Sequence, residues 1–162
     1  MFLDRLSLVI GKFSSWLLFF MMLVCCIVVV LRYGFNIGST TLQDILMYLH
    51  GCAFLLGAAY TLSMDDHVRV DIFYRHFNVH QKAWVDALGT SFILLPLCAF
   101  LLWFGWHYFY TAWQFKEGSA EPGGLPYVYL LKGIIPLAFL LLFIQALGCF
   151  LKAANTLVFR RD

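Results

Sequence analysis

Four long apolar runs divide this chain, separated by short polar connections, and no water-soluble fold of 162 residues has a core large enough to bury them all. The first, Phe13 to Leu31, is uncharged over about 19 residues, enough to cross a hydrocarbon layer of about 30 Å. The others run from 42 to 63, from 83 to 115 and from 126 to 151. A soluble domain carries about 25% charged residues. This chain carries 12%, against 62% hydrophobic. The expected fold is all-α and integral to the membrane: one domain of four transmembrane helices, with no length left for a soluble domain.

Residues 1–12 repeat Phe2, Leu3, Leu6, Val9 and Ile10 at helical spacing around Asp4, Arg5 and Ser7. They read as a short interfacial helix or as the first turns of a tilted segment. The first span ends at Arg32 and Tyr33, a cation and an aromatic at interfacial depth. Residues 34–41 form a turn-rich loop in which Ser39, Thr40 or Thr41 caps the next helix. The second span carries Gln43, Asp44 and His50 in its first half. Gly51, Gly57, Ala58 and Ala59 follow, small residues suited to close helix packing.

The third run, 83–115, is about 50 Å long if wholly helical. It must tilt or project from the membrane, and Pro96 leaves the Phe92 carbonyl without its helical donor. Its far end is crowded with Trp103, Trp106, Tyr108, Tyr110 and Trp113. Residues 116–125 (KEGSAEPGGL) are the clearest loop. In the fourth span Lys132 and Pro136 place a charge beside a backbone defect. The tail from Lys152 is short and basic.

The connection from Met64 to Lys82, MDDHVRVDIFYRHFNVHQK, holds the densest charge. Val70, Phe73, Tyr74 and Phe77 share one helical face and Asp71 can pair with Arg75, so it reads as an amphipathic helix in the headgroup plane. Arg5, Lys12, Arg69, Arg75, Lys82, Lys152, Arg160 and Arg161 fall on one side of the four spans. Arg32, Lys116 and Lys132 fall on the other. That asymmetry puts both termini and the central connection in the cytoplasm.

Asp44 and Lys132 near the same ends of spans two and four are candidates for function or for a helix-locking pair. His50 and His107 fall at similar depth on antiparallel spans, a spacing that two haem ligands would use. The alternative reading is therefore a haem-binding membrane anchor of an oxidoreductase. His76 and His80, at i and i+4, read as part of a solvated connection. Five cysteines all lie in apolar runs without CxxC spacing, as small hydrophobes. The N-terminal run is too long for a cleaved signal and is expected to remain. No catalytic constellation, phosphate loop, metal motif or nucleic-acid patch occurs. The expectation is a non-enzyme without a cofactor, built to pack against a larger partner.

Several residues resemble one family. Residues 57–62 (GAAYTL), then His67, Val68, Arg69, Val70, Asp71 and Tyr74, are similar to the central signature of the small, DctQ-like membrane subunit of tripartite ATP-independent periplasmic (TRAP) transporters. Residues 31–33 with Asn36, residues 121–126 (EPGGLP), and Lys132 with Pro136 match as well. The last two are most similar to the mannitol/chloroaromatic-type branch. The family often has a glutamate near the start of span two, where this chain has Asp44 after Gln43. The resemblance implies a multi-pass subunit of a bacterial inner membrane, among phospholipids. It would scaffold a large transport subunit served by a periplasmic binding protein, for sodium-gradient-driven uptake of an organic acid or related solute. Arg32, Asp44, His50, His67, Arg69, Asp71, Glu121, Lys132 and Pro136 become structural or interface candidates, with no substrate site expected on this chain.

Overall fold

A computed structural model of the chain describes residues 2–63 and 77–159. Its elements are helices α1 (Phe2–Gly34), α2 (Thr40–Ser63), α3 (Val79–Gly89), a π-turn (Thr90–Leu94), α4 (Leu95–Gln114) and α5 (Val128–Phe159). There is no strand among the described residues. Four stretches are long and apolar enough to cross a membrane: Ser7–Gly34, Thr40–Leu62, His80–Gln114 and Val128–Leu157. The fold class expected from the apolar runs is the one observed.

Residues 2–12 continue into the first span without a break, so α1 is a single helix of 33 residues. At about 1.5 Å per residue it is longer than a hydrocarbon layer is thick. It ends where Asn36 turns left-handed (φ 58) and the Ile37 N–H reaches back to the Leu31 carbonyl at 2.9 Å. Ser39 caps α2, its hydroxyl accepting the Leu42 N–H at 3.4 Å. The last helix runs well past residue 151, so most of the basic tail is helical.

The third span is one path in three pieces. Pro96 has no N–H to offer, and just before it the ladder widens: the Leu95 N–H bonds the Thr90 carbonyl, five residues back. The π-turn absorbs the missing donor, as such turns do inside long helices. The amphipathic helix expected around residues 70–77 lies almost wholly outside the described residues, as do His67, Arg69, Asp71 and His76.

α5 is the central element. It packs along α2 on one side and along α3, the π-turn and α4 on the other, while α1 packs chiefly on α2. Leu62, Cys98, Leu142 and Ala146 form a buried cluster where α2, α4 and α5 meet. Small residues bring the helices close. Gly105 lies against Ile135 and Pro136, and Gly133 against the Phe109 ring. α1 buries a narrow stripe of Ser7, Gly11 and Ser14. Of the small residues expected on the packing face of α2, Gly51 touches Leu131, whereas Gly57 faces open space.

A side chain at Gly11 would enter the Tyr60 ring, with Cβ only 2.5 Å from its nearest carbons. Gly11→Ala is expected to destabilise the α1–α2 pair by about 1–3 kcal/mol. Gly57→Ala, with nothing in the way, is expected to be neutral or stabilising. Thermal unfolding of the two variants in detergent checks the difference.

Candidate functional site

Several polar residues of the spans gather where the start of α2 meets the α4–α5 loop. α4 ends at Gln114, and Lys116 just beyond it adopts a left-handed conformation (φ 48). The chain then folds back on itself, the Ser119 N–H bonding the Leu125 carbonyl at 2.9 Å. Pro122 and Gly123 occupy the middle of a tight turn closed by the Gly124 N–H on the Glu121 carbonyl at 3.1 Å. Gly123 takes φ 77, which a proline–glycine pair accommodates without strain.

This loop is fastened to α2. The Asp44 carboxylate accepts the Leu125 N–H at 2.8 Å, and Asp44 is only 8% exposed. One turn earlier, the Thr41 hydroxyl donates to the Gly123 carbonyl at 2.7 Å. Gly124 lies hard against the acid. A Cβ there would stand 2.6 Å from Asp44 Oδ2 and closer still to the Ser119 side chain. Glycine is required because the backbone itself approaches the carboxylate. Tyr48, one turn further along α2, buries its hydroxyl without a hydrogen-bond partner among the described residues.

The same loop is fastened to α5. Lys132 Nζ donates to both Glu117 oxygens, at 2.7 and 2.6 Å, and lies 4.0 Å from the Tyr108 ring centroid. Lys116 Nζ sits 3.9 Å over Trp113. The two ionisable candidates therefore do not pair with each other: Asp44 takes a backbone amide and Lys132 takes Glu117. Glu121, named from sequence, is exposed in the turn and contributes its backbone carbonyl. Glu117 was missed. Its signal was its place at the other end of the same hairpin, within reach of a lysine just inside the following helix.

The remaining candidates are spread apart. Arg32 is exposed in the last turn of α1, where a cation suits the helix dipole. Pro136 is buried against Gly105. His50 is exposed and stacks on Phe54, ring centroids 6.3 Å apart. His107 lines an apolar groove of about 610 Å³ between α4 and α5, with Trp103, Trp106, Leu140 and Phe143 among its walls. α5 runs between α2 and α4, which make at most marginal direct contact. The two histidines thus do not face one another across a helix pair, and the geometry does not favour the haem reading. No group of three or more His, Cys, Asp or Glu able to hold a metal occurs among the described residues. In the other half of the bundle Ser7 donates to Gln145 at 3.2 Å, both buried.

The Glu117–Lys132 link is expected to behave as a coupled pair. Lys132 is 13% exposed and Glu117 44%, so Glu117→Ala strands a largely buried ammonium at a cost of about 1–3 kcal/mol. Adding Lys132→Met to it should recover most of that loss. Unfolding midpoints of the two single variants and the double variant check this, and additive losses would show no coupling.

A family described as "Tripartite ATP-independent periplasmic transporters, DctQ component" matches residues 21–156. No curated protein and no solved structure matches the chain.

Proposed function

The chain belongs to the DctQ component family of tripartite ATP-independent periplasmic transporters, and from that premise we propose that it is the bracing subunit of such a transporter. Membership makes it a small membrane component of a transport system, not a member of an enzyme family. In the proposal it packs against a large many-helix membrane subunit that carries the solute and ion sites. A periplasmic binding protein delivers the solute, an organic acid or a related small molecule, and a sodium gradient drives uptake. The chain sits in a bacterial inner membrane, among phospholipids, with its termini and the 64–82 connection in the cytoplasm. Its loop site then faces the periplasm.

One observation carries the bracing role. Asp44 and Lys132, the charged candidates within the spans, are both committed to the chain's own α4–α5 loop. Neither is offered to a solute or an ion. A carrier places such groups at a midplane site between broken helices. Here they fix a loop at one end of the bundle. The apolar surface supports the same reading, since Trp16, Phe54, Phe92, Trp103 and Trp106 all point outward. Such a surface suits contact with lipid or with another membrane protein. The mannitol/chloroaromatic-type branch rests on the GGLP loop and the Lys132–Pro136 spacing alone.

Mild-detergent extraction of the tagged chain from its native host is expected to bring down a many-span membrane protein in fixed stoichiometry. The chain alone should bind no solute. Recovery of the chain free of any such partner would overturn the proposal. Within the complex, if the HVRVD strip orders the cytoplasmic corner, Asp71→Ala is expected to lower yield more than Asp162→Ala. Equal yields would remove that role from Asp71.

A further inference from the structure

Spans two and four run in the same direction, and no hairpin joins them. Their contacts advance together: Thr41 with Gly123, Asp44 with Leu125, Gly51 with Leu131, and Leu62 in one cluster with Leu142 and Ala146. A helical hairpin fixes the axial position of its two helices through its short loop. A parallel pair has no such device. In a membrane the apolar contacts of such a pair discriminate weakly between registers, because lipid tails compete for the same surfaces. Sliding by one turn, about 5.4 Å, would exchange one set of methyl contacts for another.

Directional polar bonds discriminate sharply. The Asp44 carboxylate meets the Leu125 amide, and the Thr41 hydroxyl the Gly123 carbonyl, in one register only. On the loop side the acceptor, Gly123, and the donor, Leu125, lie within five residues of the start of α5. Gly124 lets the backbone come down onto the carboxylate, and the Glu117–Lys132 pair ties the loop to α5 itself. The chain of bonds from α2 through the loop to α5 is continuous.

We infer that Asp44 is a register latch: its carboxylate, seconded by Thr41, sets the axial position of α5 against α2 by holding the loop that starts α5. Its working feature is hydrogen-bond acceptance in one place, not its charge. A group that served ion coupling would need the charge.

The test compares Asp44→Asn with Asp44→Leu in the full-length chain in lipid nanodiscs, so it stands apart from the transport reading. Hydrogen exchange reads the Leu125 amide. Photo-cross-linking from a diazirine analogue of leucine at position 131 reads the register, by the residues of α2 that it labels. Asp44→Leu removes a charge-assisted hydrogen bond and is expected to raise Leu125 exchange about tenfold or more. It should also spread the cross-links from around Gly51 to positions one turn away. Asp44→Asn keeps an acceptor and is expected to raise exchange by about threefold at most, with the cross-link in place. Should Asp44→Leu fail to fold, Gly124→Ala displaces the carboxylate by contact and Thr41→Val removes the second bond. Both are expected to move exchange and cross-link in the same direction. An Asp44→Leu protein with unchanged exchange and cross-link would overturn the latch. So would an Asp44→Asn protein that behaves as Asp44→Leu, which would show that the charge is what matters.

Discussion

Hydrocarbon offers no hydrogen-bond partner, so a polar group that enters a span is costly unless it finds one in the protein. Three side chains of this chain meet that constraint, while the Ser14 and Tyr48 hydroxyls are buried without a partner among the described residues. Asp44 brings the Leu125 amide, Lys132 brings Glu117, and Ser7 brings Gln145. The first two pairs lie at one end of the bundle, where a loop can reach in to meet them. The backbone obeys the same rule. Pro96 cannot donate, and the turn before it widens so that the Leu95 amide reaches the Thr90 carbonyl.

The bundle is held by two kinds of contact with different jobs. Close approach of small residues brings the helices together: Gly11 under Tyr60, Gly105 beside Pro136, Gly133 under Phe109. These contacts give packing energy, but in lipid they fix position only loosely. The polar bonds at the loop end are fewer and more selective. α5 receives both kinds, from α2 on one side and α4 on the other, and so becomes the axis of the fold. α1 touches little besides α2 and leaves most of its large side chains facing outward.

The polar residues show where sequence reading works and where it stops. Asp44 and Lys132 were conspicuous because charges in apolar runs are costly, and both proved structurally committed. Their partners were not conspicuous. A backbone amide carries no letter in the sequence, so the Leu125 N–H gave no sign of itself. Glu117 was one of two acids in a loop, and turn geometry decided that it, and not Glu121, would face Lys132. His50 and His107 matched in depth, but depth along an axis says nothing of rotation about it. One proved to face outward beside Phe54, and the other to line a groove between α4 and α5.

The sequence by itself determined four spans, the turn at Pro122–Gly123 and the family. Each depends on local chemistry: run length against bilayer thickness, proline and glycine against backbone angles, and a pattern of residues along one strand of text. Only the tertiary structure decided that α5 is central, that residues 2–12 extend α1, and that the loop is tied to α2 through Asp44. Those outcomes depend on which faces meet and at what axial offset. Apolar surfaces of similar shape make many such meetings nearly equal in energy. A few directional bonds between residues about 80 positions apart choose among them, and no local pattern encodes such a pairing.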